Sequence, residues 1–532
     1  MSAPRRAPSR DALLAVLLFA AIVAYLVYLP RTLGRADESH FLYEAKRIRD
    51  GDVIYRDFFQ FVTPGAPYIM ALLFWLFGTT IQTARVATAV LHASTGVVMF
   101  ATGRALSIRP ALAVILPIAY LAICQPAWQF ASWHWFSTFF TVLVMYTMVR
   151  GPWASRPRWA IVPGLATGML ICVQQQKGAA ITAGACVIFL LAHLIEYRYP
   201  DRESWRRLVV RLSSYAVGIA IIVVPLLASF ILIAGWQPVY DALVVFPLVN
   251  YRNSFRTTWG AVFWITQGYA ARTFPTLLQF LPVATVPAVL RIAGGLVTRA
   301  DREQLRKLIV VVVSAGSAAL SIWYFPDMIH VAFVAPVFLI AAAEAVEWAL
   351  TVAVRSPRVG LGIEAVVSAG LLIALGLHLR SNARVWKEQF RYPTDTAFGQ
   401  VDFSVRWPGV LIDHTRALLA ETANNELFAY PNTCEPYLTT GGKNPTPYQY
   451  FYAPVSPKEH TDNVLALLTS GKIQYIMAQG FFLRRNDPVA RIILDDYERV
   501  KIPGLAGLEE FPTLSLYRRR DSVSAGADAA TH

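Results

Sequence analysis

The sequence predicts a multi-pass α-helical membrane protein with a small extracytoplasmic α/β domain at its C-terminal end, and three observations predict it. Hydrophobic residues make up 55% of the 532 positions and charged residues only 15%, with a mean hydropathy of +0.44. That balance belongs to multi-spanning chains. Apolar stretches that approach the roughly 20 residues needed to cross a hydrocarbon core of about 30 Å recur as far as residue 379. After Arg380 the composition shifts to turn-rich segments. The net charge of +14 raises the question of nucleic acid, but much of the arginine lies in short loops between apolar stretches, where it reads as an orientation signal and not as a nucleic-acid surface.

About eleven spans are expected on that length criterion: residues 12–29, 83–102, 111–124, 130–149, 159–173, 178–195, 212–234, 274–290, 308–324, 331–350 and 359–379. The third and fifth are short. Arg5, Arg6 and Arg10 precede the first, and Gly34-Arg35-Ala36 resembles a small-x-small cleavage site. The apolar run exceeds a signal h-region and many spans follow, so it reads as an uncleaved first helix. Arginine clusters mark the N-terminus and residues 104–109, 150–158, 198–211, 291–307 and 355–358. With eleven spans all of them fall on one side, which the positive-inside rule makes cytoplasmic. The chain is therefore expected in the cell (inner) membrane, N-terminus in the cytoplasm, with segments 31–82, 125–129, 174–177, 235–272 and 325–330 outside.

Residues 1–379 form the expected membrane domain and 380–520 an extracytoplasmic α/β domain, with strand, helix and strand at 427–430, 463–470 and 473–478. Residues 521–532 are small and polar and read as a disordered tail. Cys124, Cys172, Cys186 and Cys434 show no CxxC spacing, so neither a disulfide framework nor a zinc ribbon is expected.

The first outer loop concentrates the chemistry. Asp37 and Glu38 follow the first span and open a short helix, 38–48, with Phe41, Leu42, Ala45 and Ile48 on an apolar stripe and Asp37, His40, Glu44 and Arg47 on a polar side. This helix is expected to lie on the membrane. Asp50-Gly51-Asp52 is a turn signal. Residues 67–78 are apolar but too few to span, which suits an interfacial or re-entrant helix. Two acids at a helix start are also an ordinary response to the helix dipole; what singles these out is their place at the outer membrane surface.

The ordered set Arg35-Ala36-Asp37-Glu38, Phe41-Leu42-Tyr43-Glu44-Ala45, Gly51-Asp52, Tyr55-Arg56-Asp57-Phe58, Pro64, Tyr68 and Leu76-Phe77-Gly78 resembles the GT-C membrane glycosyltransferases. Within them it is most similar to the protein O-mannosyltransferase and lipid A aminoarabinose transferase branch. The motifs cover roughly residues 30–80, and the hydropathy plan extends the resemblance over the chain. It implies a GT-C fold and transfer of a sugar, with inversion, from a polyprenyl-phosphate carrier to an extracytoplasmic lipid, glycan or protein acceptor. Asp37 would be the catalytic base, because a hydroxyl nucleophile must lose its proton in the transition state. Glu38 would orient Asp37 or bind the acceptor. No cofactor is implied beyond the lipid-linked donor, which is a substrate; divalent-metal dependence stays open, and Asp50-Gly51-Asp52 reads as a turn before a metal site. The chain departs from the family at Val62-Thr63-Pro64-Gly65-Ala66-Pro67, where relatives often carry a basic residue before paired prolines, and in residues 125–136, which contain His134 but no acid.

Three further outer segments and the fourth span carry candidate substrate-binding residues. Lys177 in Gln174-Gln175-Gln176-Lys177-Gly178 reads as a snorkelling lysine or as a contact to the carrier phosphate. Arg252 and Arg256 face outward against the positive-inside bias, and arginine suits bidentate phosphate binding; the plainer reading is two solvated arginines at the headgroups. Asp327 and His330 join two spans and either pair in the cavity or cap a helix. His134 lies inside the outer end of the fourth span. A transporter or flippase of lipid-linked glycans is the alternative function; it would favour repeated halves and ionisable residues at mid-depth, whereas these candidates collect on one side.

Overall fold

A computed structural model describes residues 8–34, 37–197, 199–251, 274–298, 301–353, 357–453, 455–505 and 514–520. Each of the eleven apolar stretches is helical over most of its described length. The first is α1 (Pro8–Val27). Two short helices follow, α2 (Asp37–Arg49) and α3 (Gly65–Phe77), before the chain enters α4 (Ile81–Ala105), α5 (Pro110–Ile123) and α6 (Trp133–Arg150). The bundle continues through the four-residue α7 (Pro152–Ser155), then α8 (Ile161–Val173), α9 (Gln175–Glu196) and α10 (Arg202–Ala234). After α11 (Trp236–Tyr240) and a π-helical segment Asp241–Tyr251, a 3₁₀ segment Phe274–Thr285 leads into α12 (Val286–Thr298), α13 (Arg302–Ser321), α14 (Met328–Ala353) and α15 (Pro357–Gln389). Local signals set several starts. Thr80, Ser132 and Asp201 each accept a backbone N–H two or three residues on, from Thr83, His134 and Ser204, satisfying donors that a helix leaves free.

Among the described residues nine helices are long and apolar enough to cross a membrane by length and composition. The protein is a multi-pass membrane protein. The two expected spans outside that number are α6 and α8. α6 is about 27 Å long but carries His134, Ser137, Thr138, Thr141 and Thr147; most of it is buried, and the hydroxyls of Ser137, Thr138, Thr141 and Thr147 donate to backbone carbonyls. α8 has 13 residues.

Described residues of the arginine-rich loops gather at one end of the bundle, joined by ion pairs Arg104–Asp11, Arg109–Glu347, Arg211–Glu196 and Arg291–Glu344. The other end carries α2, α3 and the C-terminal domain. α15 continues to Gln389, ten residues past the expected end of its span, because its last turns are held by charged helix formers such as the i,i+4 pair Arg384–Glu388. The domain begins with a hairpin, β1 (Tyr392–Thr396) and β2 (Gly399–Phe403), and a helix α16 (Trp407–Ala420). Next come β3 (Phe428–Tyr430), α17 (Glu435–Thr440), α18 (Lys458–Thr469), β4 (Tyr475–Gln479), α19 (Pro488–Asp496), β5 (Tyr497–Arg499) and β6 (Leu514–Arg519). The sheet order is β3-β4-β6-β5, with β3 and β4 parallel and the other pairs antiparallel. The expected strand, helix and strand are β3, the second half of α18, and β4. The tail 521–532 lies outside the described residues.

The domain sits directly on the first outer loop. Phe398 O accepts from Ile81 N at 2.9 Å, and the Asp402 carboxylate accepts from Arg31 N at 2.7 Å. Tyr437 stacks on Tyr43 with ring centroids 4.7 Å apart. As a result α2 is covered on both sides, and residues 38–45 are all buried. Its apolar side meets Trp133 and Phe136 through Phe41. Its polar side lies under the domain, where Ser39 and Tyr43 accept from the backbone N–H of Cys434 and Asn444. The expectation of a helix resting on the membrane is corrected to a helix clamped between bundle and domain. α3 keeps the expected interfacial character, with Leu72, Trp75, Leu76 and Phe77 exposed.

Candidate active site

Asp37 is the first residue of α2 and is half-buried. Burial raises its carboxyl above the usual carboxylate range; His330 pulls it back down and Asp327 pushes it further up. The Asp327 carboxylate accepts from the backbone N–H of His330 at 2.8 Å and lies 2.7 Å from its Nδ1. Asp327 therefore caps the start of α14 and also pairs with His330.

The ring of His134 stands edge-on to that of His330 at 5.2 Å and stacks on Phe333 at 4.6 Å. His134 Nδ1 lies 3.1 Å from Gln174 Nε2. Three residues on, Lys177 is 1% exposed, and its ammonium has no hydrogen-bond partner among the described residues. The turn that presents Gln174 and Lys177 is anchored to the first outer loop. Gln175 donates to Phe61 O at 2.7 Å and accepts from Thr63 N at 3.1 Å, and the Thr63 hydroxyl donates to Ile171 O at 2.7 Å. Asp37, His134, Lys177, Asp327 and His330 thus come from four separate segments to the same end of the bundle.

Glu38 is placed differently. Its carboxylate is completely buried and accepts four N–H groups: Arg85 Nη1 at 2.6 Å and Nη2 at 2.8 Å, Gly34 N at 2.7 Å and Ala131 N at 2.6 Å. The acid expected to orient Asp37 or bind the acceptor instead ties α1's outer end, α4 and the 125–132 loop to the head of α2. Arg252 and Arg256 lie outside the described residues, as does the Arg35-Ala36 half of the first motif. In the Asp50-Gly51-Asp52 turn, where Gly51 has φ +109°, both carboxylates are engaged by Lys46, Arg49 and Arg47.

Several residues of the site carried no pattern in the sequence. Tyr251, Tyr324 and Tyr450 have hydroxyls raised by burial, with the charge of Asp37 contributing to each. Phe61 joins them, 5.3 Å from both Tyr251 and Tyr450. Tyr450 arrives from the C-terminal domain, on a loop held to the first outer loop by Phe59 N donating to Pro447 O at 2.8 Å. Below it on α2, burial pushes His40 down to about 3 and Glu44 up to about 8. Glu44 Oε1 accepts from Gln60 Nε2, and Oε2 has no partner among the described residues. Twenty-three tyrosines give no way to choose three of them without the fold.

No family model and no curated protein matches the sequence. Solved structures do match. The chain is similar to ArnT from Cupriavidus metallidurans bound to undecaprenyl phosphate, at 15% identity and a TM-score of 0.59 over 96% of this chain and 98% of that one. The apo state of the same protein matches at 16% identity and a TM-score of 0.56 over the same shares. The oligosaccharyltransferase of Archaeoglobus fulgidus in the apo form matches at 10% identity and a TM-score of 0.54, over 92% of this chain and 73% of that one. At such identities the likeness is one of architecture, and the architecture of this chain is the GT-C fold.

Proposed function

We propose that the protein is a membrane glycosyltransferase that moves a sugar from a polyprenyl-phosphate carrier to an acceptor hydroxyl on the extracytoplasmic side, with inversion and with Asp37 as general base. The observation that carries this reading is Asp37 itself: a half-buried carboxylate at the head of α2, among His330, Asp327 and three tyrosines. The likeness in fold to a protein solved with undecaprenyl phosphate supports the class of donor.

The chemistry follows from the side chains. Asp37 takes the acceptor's proton as the hydroxyl attacks the anomeric carbon; the bond to the carrier oxygen breaks, and the polyprenyl phosphate leaves as an anion that needs no protonation. A carboxyl raised by burial is a better base than an exposed one once ionised. His330 is held in place beside Asp37 by its pairing to Asp327. Lys177 is buried without a counter-charge among the described residues, and an ammonium in that setting is stabilised by an anion; the carrier phosphate provides one. Arg252 and Arg256 are proposed for the same phosphate. Gln174 and the tyrosines offer hydrogen bonds and ring faces to the sugar. Glu38 and Arg85 act as a brace that holds α2 in place.

The test is Asp37→Asn in the purified full-length chain, assayed for transfer from polyprenyl-phosphate sugars to membrane glycolipids and glycoproteins. Loss of a general base costs about 10²–10⁴-fold in rate, so turnover should nearly vanish while donor binding persists. A folded variant retaining more than about a tenth of wild-type turnover would overturn the assignment of the base.

A further inference from the structure

The bundle carries a polar cavity at the end opposite Asp37. It has a volume of about 450 Å³ and lies where α6 and α9 end and α13 begins. Those helices run from the Asp37 end, where α6 starts beside His134 and α9 beside Lys177, so the two sites are separated by the thickness of the bundle. Arg150, Arg302 and Arg306 line the cavity, with Trp153, Ile195, Glu196 and Glu303.

Its charges are unbalanced. Glu196, one of the two acids, is engaged by the buried Arg211 at 2.8 Å. The other, Glu303, is well exposed and pairs with Lys307 at 3.2 Å and more loosely with Arg306 at 4.0 Å. Arg306 is fixed in place: its guanidinium lies 5.4 Å from the Trp153 ring centroid and donates to Met148 O at 3.1 Å. Arg302 donates to the Glu196 carbonyl at 3.0 Å, and its other N–H groups have no partner among the described residues. Arg150 makes no hydrogen bond or ion pair with the described residues and is exposed. Two guanidinium groups with unused donors thus stand over a pocket floored by an aromatic ring and a third, immobilised arginine.

The surroundings are those of a lipid. Val187, Leu190, Leu191 and Leu194 form one exposed apolar stripe on α9, at the i, i+3, i+4, i+7 spacing of a single helix face, and the stripe runs toward the end of α9 where Ile195 lines the cavity. Trp159, Tyr199 and Trp205 are exposed at the same end, where aromatic side chains mark the headgroup level. Basic pockets between spanning helices on the positively charged side suit phosphate headgroups, and arginine matches phosphate oxygens in a bidentate manner. We infer that this cavity binds the phosphodiester headgroup of an anionic phospholipid, with the acyl chains lying along the leucine stripe of α9.

The test measures the melting temperature of the purified full-length chain in detergent titrated with dioleoylphosphatidylglycerol, with dioleoylphosphatidylcholine and inorganic phosphate as parallel arms. Arg150→Gln/Arg302→Gln removes two exposed charges from the cavity and leaves the Arg306 and Arg211 anchors intact. Arg484→Gln/Arg485→Gln removes the same charge from the exposed C-terminal domain. Phosphatidylglycerol should stabilise the wild type and the second variant alike, and the first variant should need roughly tenfold more of it, since each arginine near an anionic surface contributes appreciably. Equal responses of the two variants would place the lipid elsewhere and overturn the site. An equal response of the wild type to phosphate alone would overturn its assignment to a lipid.

Discussion

At the scale of the residue, the first outer loop shows how neighbours in sequence take unrelated roles. Asp37 and Glu38 are adjacent, yet Asp37 is half-buried among titratable groups while Glu38 is saturated by four donors. Successive helical positions point about 100° apart, so one faces the site and the next the bundle. Glu44, two turns along from Asp37, is the buried acid that gives a testable pH effect. Its carboxyl is raised from 4.5 to about 8, so the folded state holds that proton more tightly than the unfolded chain. Stability is therefore greatest below the unfolded value and falls as pH rises toward the folded one. Glu44→Gln removes the ionisation while keeping the shape, and its melting temperature should exceed the wild type's by a few degrees at about pH 9 and converge with it under acidic conditions. A variant that tracked the wild type across the whole range would show that Glu44 does not ionise at this cost.

At the scale of the element, the turn carrying Gln174 and Lys177 owes its position to the close approach of α3 to the end of α8. Gly65 makes that approach possible: a Cβ there would stand 2.6 Å from Cys172 O and 3.3 Å from Val173 Cγ1. Since the obstacle is backbone, it has little room to give. Gly65→Ala should therefore cost about 1–3 kcal/mol through overpacking and loosen the Thr63–Gln175 link. Gly294→Ala, in α12, meets nothing within 4 Å and should be neutral or slightly stabilising, since alanine is the better helix former. Thermal unfolding of the two variants side by side decides the matter, and an unaltered melting temperature for Gly65→Ala would refute the close-packing argument.

At the scale of the whole molecule, the arginine loops and the proposed active site occupy opposite ends of the bundle. On the positive-inside rule we propose that the arginine end faces the cytoplasm and the C-terminal domain the outside. In a variant lacking the four native cysteines, Arg485→Cys on the domain should react with a membrane-impermeant thiol reagent in intact cells. Arg206→Cys at the opposite end should stay unlabelled until the membrane is opened. Both side chains are about 75% exposed, so accessibility of the positions themselves is matched. The reverse pattern would turn the molecule over and move Asp37 to the cytoplasmic side.

The helical membrane architecture, the end at which arginine collects and the two short helices between the first two long ones were legible in the sequence, because hydrophobic length, loop charge and helical periodicity are local properties. The DxxH turn was legible for the same reason: Asp327 and His330 lie three residues apart, and one helix start brings them together. Tertiary structure alone decided the rest. That Glu38 is a brace depends on Arg85 and Ala131, 47 and 93 residues away. That Tyr450 lies within electrostatic range of Asp37 depends on a domain which begins only after the last span and folds back over α2. Local pattern limits which face of a helix is polar; only the packing of distant segments determines whether that face meets water, lipid, another domain or a substrate.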